Sequence, residues 1–139
     1  MYKNIEVTKD LLDYIYNHTE PLHQIQKSIL EHNKNTEDMQ RLQISETQGH
    51  FLQLVIKINN IKNCLEIGTS TGFSAATMAL ALPGGGKLVS LDHDEKTTQI
   101  ANIFFKKANL DKKIKIIVTP ALDALKKMAK EKRLFDLVF

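Results

Sequence analysis

Ile61-Lys62-Asn63-Cys64-Leu65-Glu66-Ile67-Gly68-Thr69-Ser70-Thr71-Gly72-Phe73-Ser74 is the stretch on which the fold turns. Its first seven residues read as a short apolar strand, and Gly68 to Gly72 as a tight turn. An Ala- and Met-rich helix then runs from Phe73 to Leu82 and stops at Pro83 and Gly84-Gly85-Gly86. Where a strand passes through a glycine turn into a helix, backbone amides and the positive end of the helix face a bound ligand.

The same alternation continues downstream. Lys87 to Leu91 reads as a second strand with Asp92 at its carboxyl end, and Glu95 to Ala108 as a helix carrying Ile100, Ile103 and Phe104 on one side. Asn109 suits a left-handed stop. A third strand is expected over Ile114–Val118, a third helix over Ala121–Lys132 and a fourth strand over Phe135–Phe139. Strands and helices in strict alternation, joined by short connections, predict an α/β fold. The expected architecture is a Rossmann-like, doubly wound parallel sheet of about four strands in the order 3-2-1-4, preceded by N-terminal helices.

Upstream, Leu11, Leu12, Ile15 and Tyr16 recur at helical spacing, as do Leu22, Ile25, Ile29 and Leu30 after Pro21, a residue that suits a helix start. Asn33 to Thr36 breaks the pattern. Ser45 and Gln48 have the spacing of a capping box, and the helix they open contains Gly49, a sign of close packing or a nearby ligand. Two segments follow from this: residues 1–60, helical, and residues 61–139, the α/β portion. The helices form either a separate cap or part of the same core.

Composition narrows the class. The chain has 139 residues, 42% hydrophobic and 25% charged, with six Gly and three Pro, which excludes collagen, a disordered tail and a low-complexity linker. A single cysteine, Cys64, makes no internal disulfide and reads as a small buried hydrophobe. His18, His23, His32 and His50 lack metal-ligand spacing. No apolar run is long enough for a membrane span, so a soluble, cytoplasmic protein is expected. Ten Lys and Arg residues fall between 106 and 133 against Asp111, Asp123 and Glu131. They form either a solvated helix face or a contact with a phosphate-rich partner, without the interleaved aromatics of a single-strand platform.

The turn selects among nucleotide ligands. A dinucleotide fingerprint starting at Gly68 would need glycines at positions 70 and 73, which are Ser70 and Phe73, and no Gly-Lys-Ser/Thr ending marks a P-loop. The missing middle glycine leaves little room for pyrophosphate, and an acid at Glu66 would repel phosphates, so a cationic or amine-bearing ligand fits better. Asp92 follows Gly68 by 24 residues, near the spacing at which an acid binds ribose hydroxyls, and a carboxylate can accept from two vicinal hydroxyls. The other role open to Asp92 is a helix N-cap. A ribose without phosphates beside a positive centre describes S-adenosylmethionine. A nicotinamide oxidoreductase fits the alternation but not the glycines.

Leu65-Glu66-Ile67-Gly68-Thr69-Ser70-Thr71-Gly72-Phe73-Ser74, Ala79-Leu80-Ala81-Leu82-Pro83, Leu91-Asp92 and Thr119-Pro120-Ala121-Leu122 closely resemble the caffeoyl-CoA O-methyltransferase-like family. The stretch Leu42 to Leu52 resembles the segment that precedes the first strand there. The family comprises S-adenosylmethionine-dependent, cation-dependent O-methyltransferases. The resemblance implies that Glu66 and Gly68 line the methionine side of the cofactor, with Thr69 and Gly72 in the same turn. It implies that Ser74 binds the cofactor carboxylate, Asp92 the ribose, and Ala121 the adenine edge through its backbone. His93 lies near the adenine or faces solvent. Ile44 stands where members often carry a small polar residue that contacts cofactor. No catalytic residue is assigned.

The same resemblance implies a divalent cation, Mg²⁺, in the complete family member, held by acids and an Asn that follow Phe139, so no metal ligand is expected within this sequence. The implied acceptor is a small-molecule hydroxyl, catechol-like, with a hydroxyuridine in tRNA as another, and no membrane partner. A fourth strand with an open edge points to a homodimer or to pairing with further chain. This chain alone is expected to bind cofactor without turnover; the alternative is a non-catalytic nucleoside-binding or interaction module.

Overall fold

In the computed structural model, which describes residues 6–35 and 37–139, Ser45 and Gln48 form the expected capping box at the start of a helix over Glu46–Ile58. Ahead of it come α1 (Lys9–Asn17), α2 (Gln24–Asn33) and α3 (Glu37–Leu42), so the Glu46–Ile58 helix is α4. The α/β portion runs β1 (Asn63–Ile67), α5 (Phe73–Ala81), β2 (Lys87–Asp92), α6 (Glu95–Lys107), β3 (Ile114–Val118), α7 (Ala121–Lys130) and β4 (Leu137–Val138). Asn109 adopts the left-handed conformation (φ 55°) that ends α6.

The four strands form one parallel sheet in the order β3-β2-β1-β4. Leu65 pairs with Val89 on one side and Val138 on the other. The chain steps outward from β1 to β2 and β3, then returns to the far side of β1, so the order reverses between β1 and β4. That is where doubly wound sheets bind ligands, beyond the carboxyl ends of their strands.

Side chains alternate between the two faces of the sheet. Cys64, Leu88 and Ile114 join Phe73, Ala75, Ala76, Met78 and Ala79 of α5, Ala101, Phe104 and Phe105 of α6, Leu52 and Ile56 of α4, and Ile25 and Ile29 of α2. Leu65, Val89 and Leu91 pack under Ala124 and Met128 of α7. The helices α2 and α4 therefore share the core of the sheet, whereas α1 buries no residue. Thr77 on α5 ties them in: its hydroxyl accepts from Gln26 Nε2 (2.8 Å), and its carbonyl from Gln53 Nε2 (3.0 Å). At Gly49 a Cβ would lie 3.2 Å from Thr77 Cγ2, the close approach of α4 to α5 that a mid-helix glycine suggested.

Some local readings need correction. Pro21 does not open α2; His23 does, accepting from Ile25 N through Nδ1 while its own amide donates to Gln26 Oε1. The strand β4 is two residues long, although Phe139 extends the pairing by donating to Leu65 O and accepting from Ile67 N, each at 2.9 Å. Asp136 clips its start to β1 by accepting from the amides of Lys62 and Asn63 at 2.9 and 2.8 Å. In the basic stretch, Lys113 donates to the carbonyls of Ala79 and Leu82 at the end of α5, so at least one of its charges serves the fold.

Candidate functional site

Between β1 and α5 the turn is built from three residues at positive φ: Gly68 at 103°, Ser70 at 48° and Gly72 at 90°. Gly72 has no alternative, since a Cβ there would lie 2.6 Å from the Phe105 ring. At Gly68 a Cβ would meet nothing within 4 Å, so its backbone is open to an approaching ligand. Asp92, at the end of β2, holds the turn in place: Oδ2 accepts from the amides of Thr69 (2.8 Å) and Ser70 (2.7 Å), and Oδ1 from Asp94 N (2.9 Å). These bonds secure Ser70 in a conformation that residues with a Cβ adopt rarely.

Asp92 is not a helix cap. Asp94 caps α6, accepting from the amides of Lys96 and Thr97. Hydrogen bonds from three amides fill three of the roughly four lone-pair sites of the Asp92 carboxylate, and the backbone of His93 acts on it as well, so at most one acceptor position is left, on Oδ1. The expected two-oxygen grip on a sugar is thereby narrowed to one oxygen. Partial burial pushes this carboxyl upward, but the amides of Asp94, Ser70, Thr69 and His93 outweigh it and hold it below the usual range, so Asp92 is an anion at neutral pH.

Above Asp92 lies a cleft of about 420 Å³, within the span typical of small-ligand sites. Of the nine residues singled out from the sequence, Ile44, Gly68, Ser74, Asp92, His93 and Ala121 line it. Glu66, Thr69 and Gly72 are buried behind that lining. The side chain of His93 is 85% exposed, with Nδ1 3.5 Å from Asp92 Oδ1, so it sits at the rim and meets solvent as well as the cleft. Thr69 turns its hydroxyl inward, 2.6 Å from Ser90 Oγ, and offers its amide to Asp92.

Glu66 departs furthest from expectation. It is fully enclosed, with Oε1 accepting from Ser74 Oγ and Oε2 from Ser90 Oγ. Burial raises its pKa to about 7 against the pull of the two hydroxyls, with the Asp92 charge adding to the rise. Near neutrality it is therefore about half protonated, which weakens the argument that it repels phosphate as a fixed charge.

Sequence reading missed Met39, Leu42 and Gln43 on the α3 side, together with Ile67, Ser70, Thr71, Phe73, Leu91, Asp94, Thr97 and Phe139. Most flank residues already identified; Leu42 and Gln43 open the stretch that carried the upstream resemblance, and Met39 had no motif to announce it. Among the described residues no group of three or more His, Cys, Asp or Glu side chains could hold a metal ion.

A parallel β3-β2-β1-β4 sheet with a cleft over its strand ends, at the reversal of strand order, defines a Rossmann-like α/β protein. Comparison with known proteins narrows this: the model of the family described as O-methyltransferase matches residues 16–139, and the chain belongs to that family. A probable caffeoyl-CoA O-methyltransferase 3 of Dictyostelium discoideum is 32% identical over 138 residues, covering 97% of this chain and 55% of its own length. A catechol O-methyltransferase of Niastella koreensis is 36% identical over 102 residues, 73% of this chain and 46% of that protein. An O-methyltransferase from Bacillus cereus, solved in complex with SAH, is similar at a TM-score of 0.79 and 34% identity, covering 91% of this chain and 58% of that one. The chain thus spans about half the length of the curated relatives it matches.

Proposed function

We propose that the cleft binds S-adenosylmethionine and that the chain carries the cofactor-binding part of an O-methyltransferase. The observation that carries this is Asp92: an ionised carboxylate fixed by the turn amides, with one acceptor position left beside the open backbone of Gly68. That combination suits a ribose hydroxyl and leaves room for the rest of a nucleoside. The small side chain of Ala121 and the rim position of His93 suit the adenine end, and Ser74, at the amino end of α5, the amino-acid end. The crystallised relative with SAH supports the same reading.

When bound, S-adenosylmethionine supplies a methyl group on a cationic sulfur. The role of this chain is to hold that group at a fixed place, since positioning is a major source of rate in such transfers. The proposed acceptor is a hydroxyl of a catechol-like small molecule, in line with the relatives' names; a hydroxyuridine in tRNA is the other substrate to assay. No step is assigned to a cation on the described residues.

Calorimetric titration with S-adenosylmethionine and S-adenosylhomocysteine tests the reading. Asp92→Asn keeps an oxygen for the amides of Thr69 and Ser70 but places an NH₂ where Oδ1 accepted from Asp94 N and held the free position. It is expected to weaken binding by about tenfold or more, the worth of one hydrogen bond to a charged group. Equal affinity of the variant, or no binding by the unmodified protein, would overturn the assignment.

A further inference from the structure

The cleft is short of side-chain N–H donors. Among the described residues that line it none is Lys or Arg, and only Gln43 and His93 carry a side-chain nitrogen. His93 stands at the rim beside Asp92 Oδ1. Ser74 gives its hydroxyl proton to Glu66 Oε1, so what it offers an anion is its place at the amino end of α5. Gln43 comes from the other wall. It follows α3 and leads into α4, whose Gly49 approaches Phe73 and Thr77 of α5. Its amide is held from behind. Asn33, at the end of α2, is 0% exposed and donates from Nδ2 to Gln43 Oε1 at 2.7 Å. Among the described residues the Asn33 carbonyl oxygen has no partner, so the bond to Gln43 is the one its side chain makes. With Oε1 taken inward, Gln43 Nε2 bonds no other described residue and is left to donate into the cleft.

We infer that Gln43 is a further binding residue of this cleft, donating from Nε2 to the carboxylate at the amino-acid end of the nucleoside, and that Asn33 is a positioning residue that fixes the amide in that orientation. This rests on the nucleoside reading above. A carboxylate has about four acceptor sites, and no cationic side chain lines the cleft to fill them. The amino end of α5 meets it from one wall and the Gln43 amide from the other. The charge on Asp92, at the end of β2, turns a carboxylate away from that part of the cleft and toward Gln43 and Ser74. Orientation matters because a reversed amide would set Oε1 against the carboxylate, acceptor against acceptor. S-adenosylmethionine and S-adenosylhomocysteine carry the same carboxylate, so Gln43 serves both alike. It separates both from nucleosides that lack the amino-acid end.

Calorimetric titration compares S-adenosylhomocysteine with methylthioadenosine, which keeps the adenine, ribose and thioether but lacks the amino-acid end. Gln43→Ala should weaken S-adenosylhomocysteine about tenfold, the worth of a hydrogen bond to a charged group, and leave methylthioadenosine within about twofold. Gln43→Glu can still accept from Asn33 but sets carboxylate against carboxylate, so it should weaken S-adenosylhomocysteine further and methylthioadenosine no more. Asn33→Leu, close in shape and without a donor, should weaken S-adenosylhomocysteine about threefold or more, yet have no measurable effect in the Gln43→Ala background. Asn33→Ser, too short to reach Gln43, provides the same cycle should that variant fold poorly. Equal losses for the two ligands in Gln43→Ala, no loss for either, or an equal effect of Asn33→Leu with and without Gln43→Ala would overturn this inference alone. Failure of the unmodified protein to bind S-adenosylhomocysteine, or to bind methylthioadenosine at millimolar concentration, would overturn the nucleoside reading and this inference with it.

Discussion

Two glycines of one turn should fail in different ways when each is replaced by alanine. Both stand at positive φ, 90° at Gly72 and 103° at Gly68, so each substitution strains the backbone by about 1–2 kcal/mol. At Gly72 the new methyl would also lie 2.6 Å from Cε1 and Cζ of Phe105 and 3.1 Å from Ala101 Cβ. Phe105 is 1% exposed and packed among α5, α6 and the sheet, so its ring can yield only by disturbing the core. Overpacking of that kind adds about 1–3 kcal/mol, for a total of about 2–5 kcal/mol at Gly72 against about 1–2 kcal/mol at Gly68. Urea unfolding monitored by circular dichroism gives both values. Gly68→Ala should keep most of the stability yet lose nucleoside affinity, because its methyl would enter the cleft. If Gly72→Ala proved as stable as Gly68→Ala, the claim that the turn is wedged against α6 would be wrong.

Glu66 makes stability depend on pH in the reverse of the usual acid pattern. Its folded pKa, about 7, lies above the unfolded value of 4.5, so between those limits the native state holds the extra proton and stability falls as pH rises. The loss, about 3 kcal/mol by pH 8, should be absent in Glu66→Gln, which urea unfolding at about pH 5 and about pH 8 would reveal; parallel curves for the two proteins would refute it. Asp94→Ala removes the α6 cap and should cost about 0.5–2 kcal/mol in thermal unfolding while leaving the Asp92 bonds to Thr69 and Ser70 intact. No measurable loss would mean the cap contributes nothing.

The architecture was legible because its signals are local. Strand, glycine turn and helix follow one another in the chain from Asn63 to Ala81, and Ser45–Gln48 and Asn109 carry their own capping chemistry. Signals shared between distant segments were harder to see. The chain shows an acid before a turn at Glu66, but its enclosure depends on Ser74 and Ser90 from two other elements. Strand parity held a clue, since Glu66 shares its side of β1 with Cys64, which faces α4 and α5. Likewise the division of labour between Asp92 and Asp94 follows from which carboxylate reaches the turn amides, a three-dimensional fact. Met39 and Leu42 of α3, and Gln43 just after it, reach the cleft only because the chain folds back over it.

A crystal structure of this protein soaked with S-adenosylhomocysteine tests the central claim most directly. The account predicts the nucleoside over the strand ends, with a ribose hydroxyl on Asp92 Oδ1, the amino-acid end toward Ser74 and the adenine near Ala121. A ligand bound elsewhere, or a cleft filled by its own side chains, would contradict it.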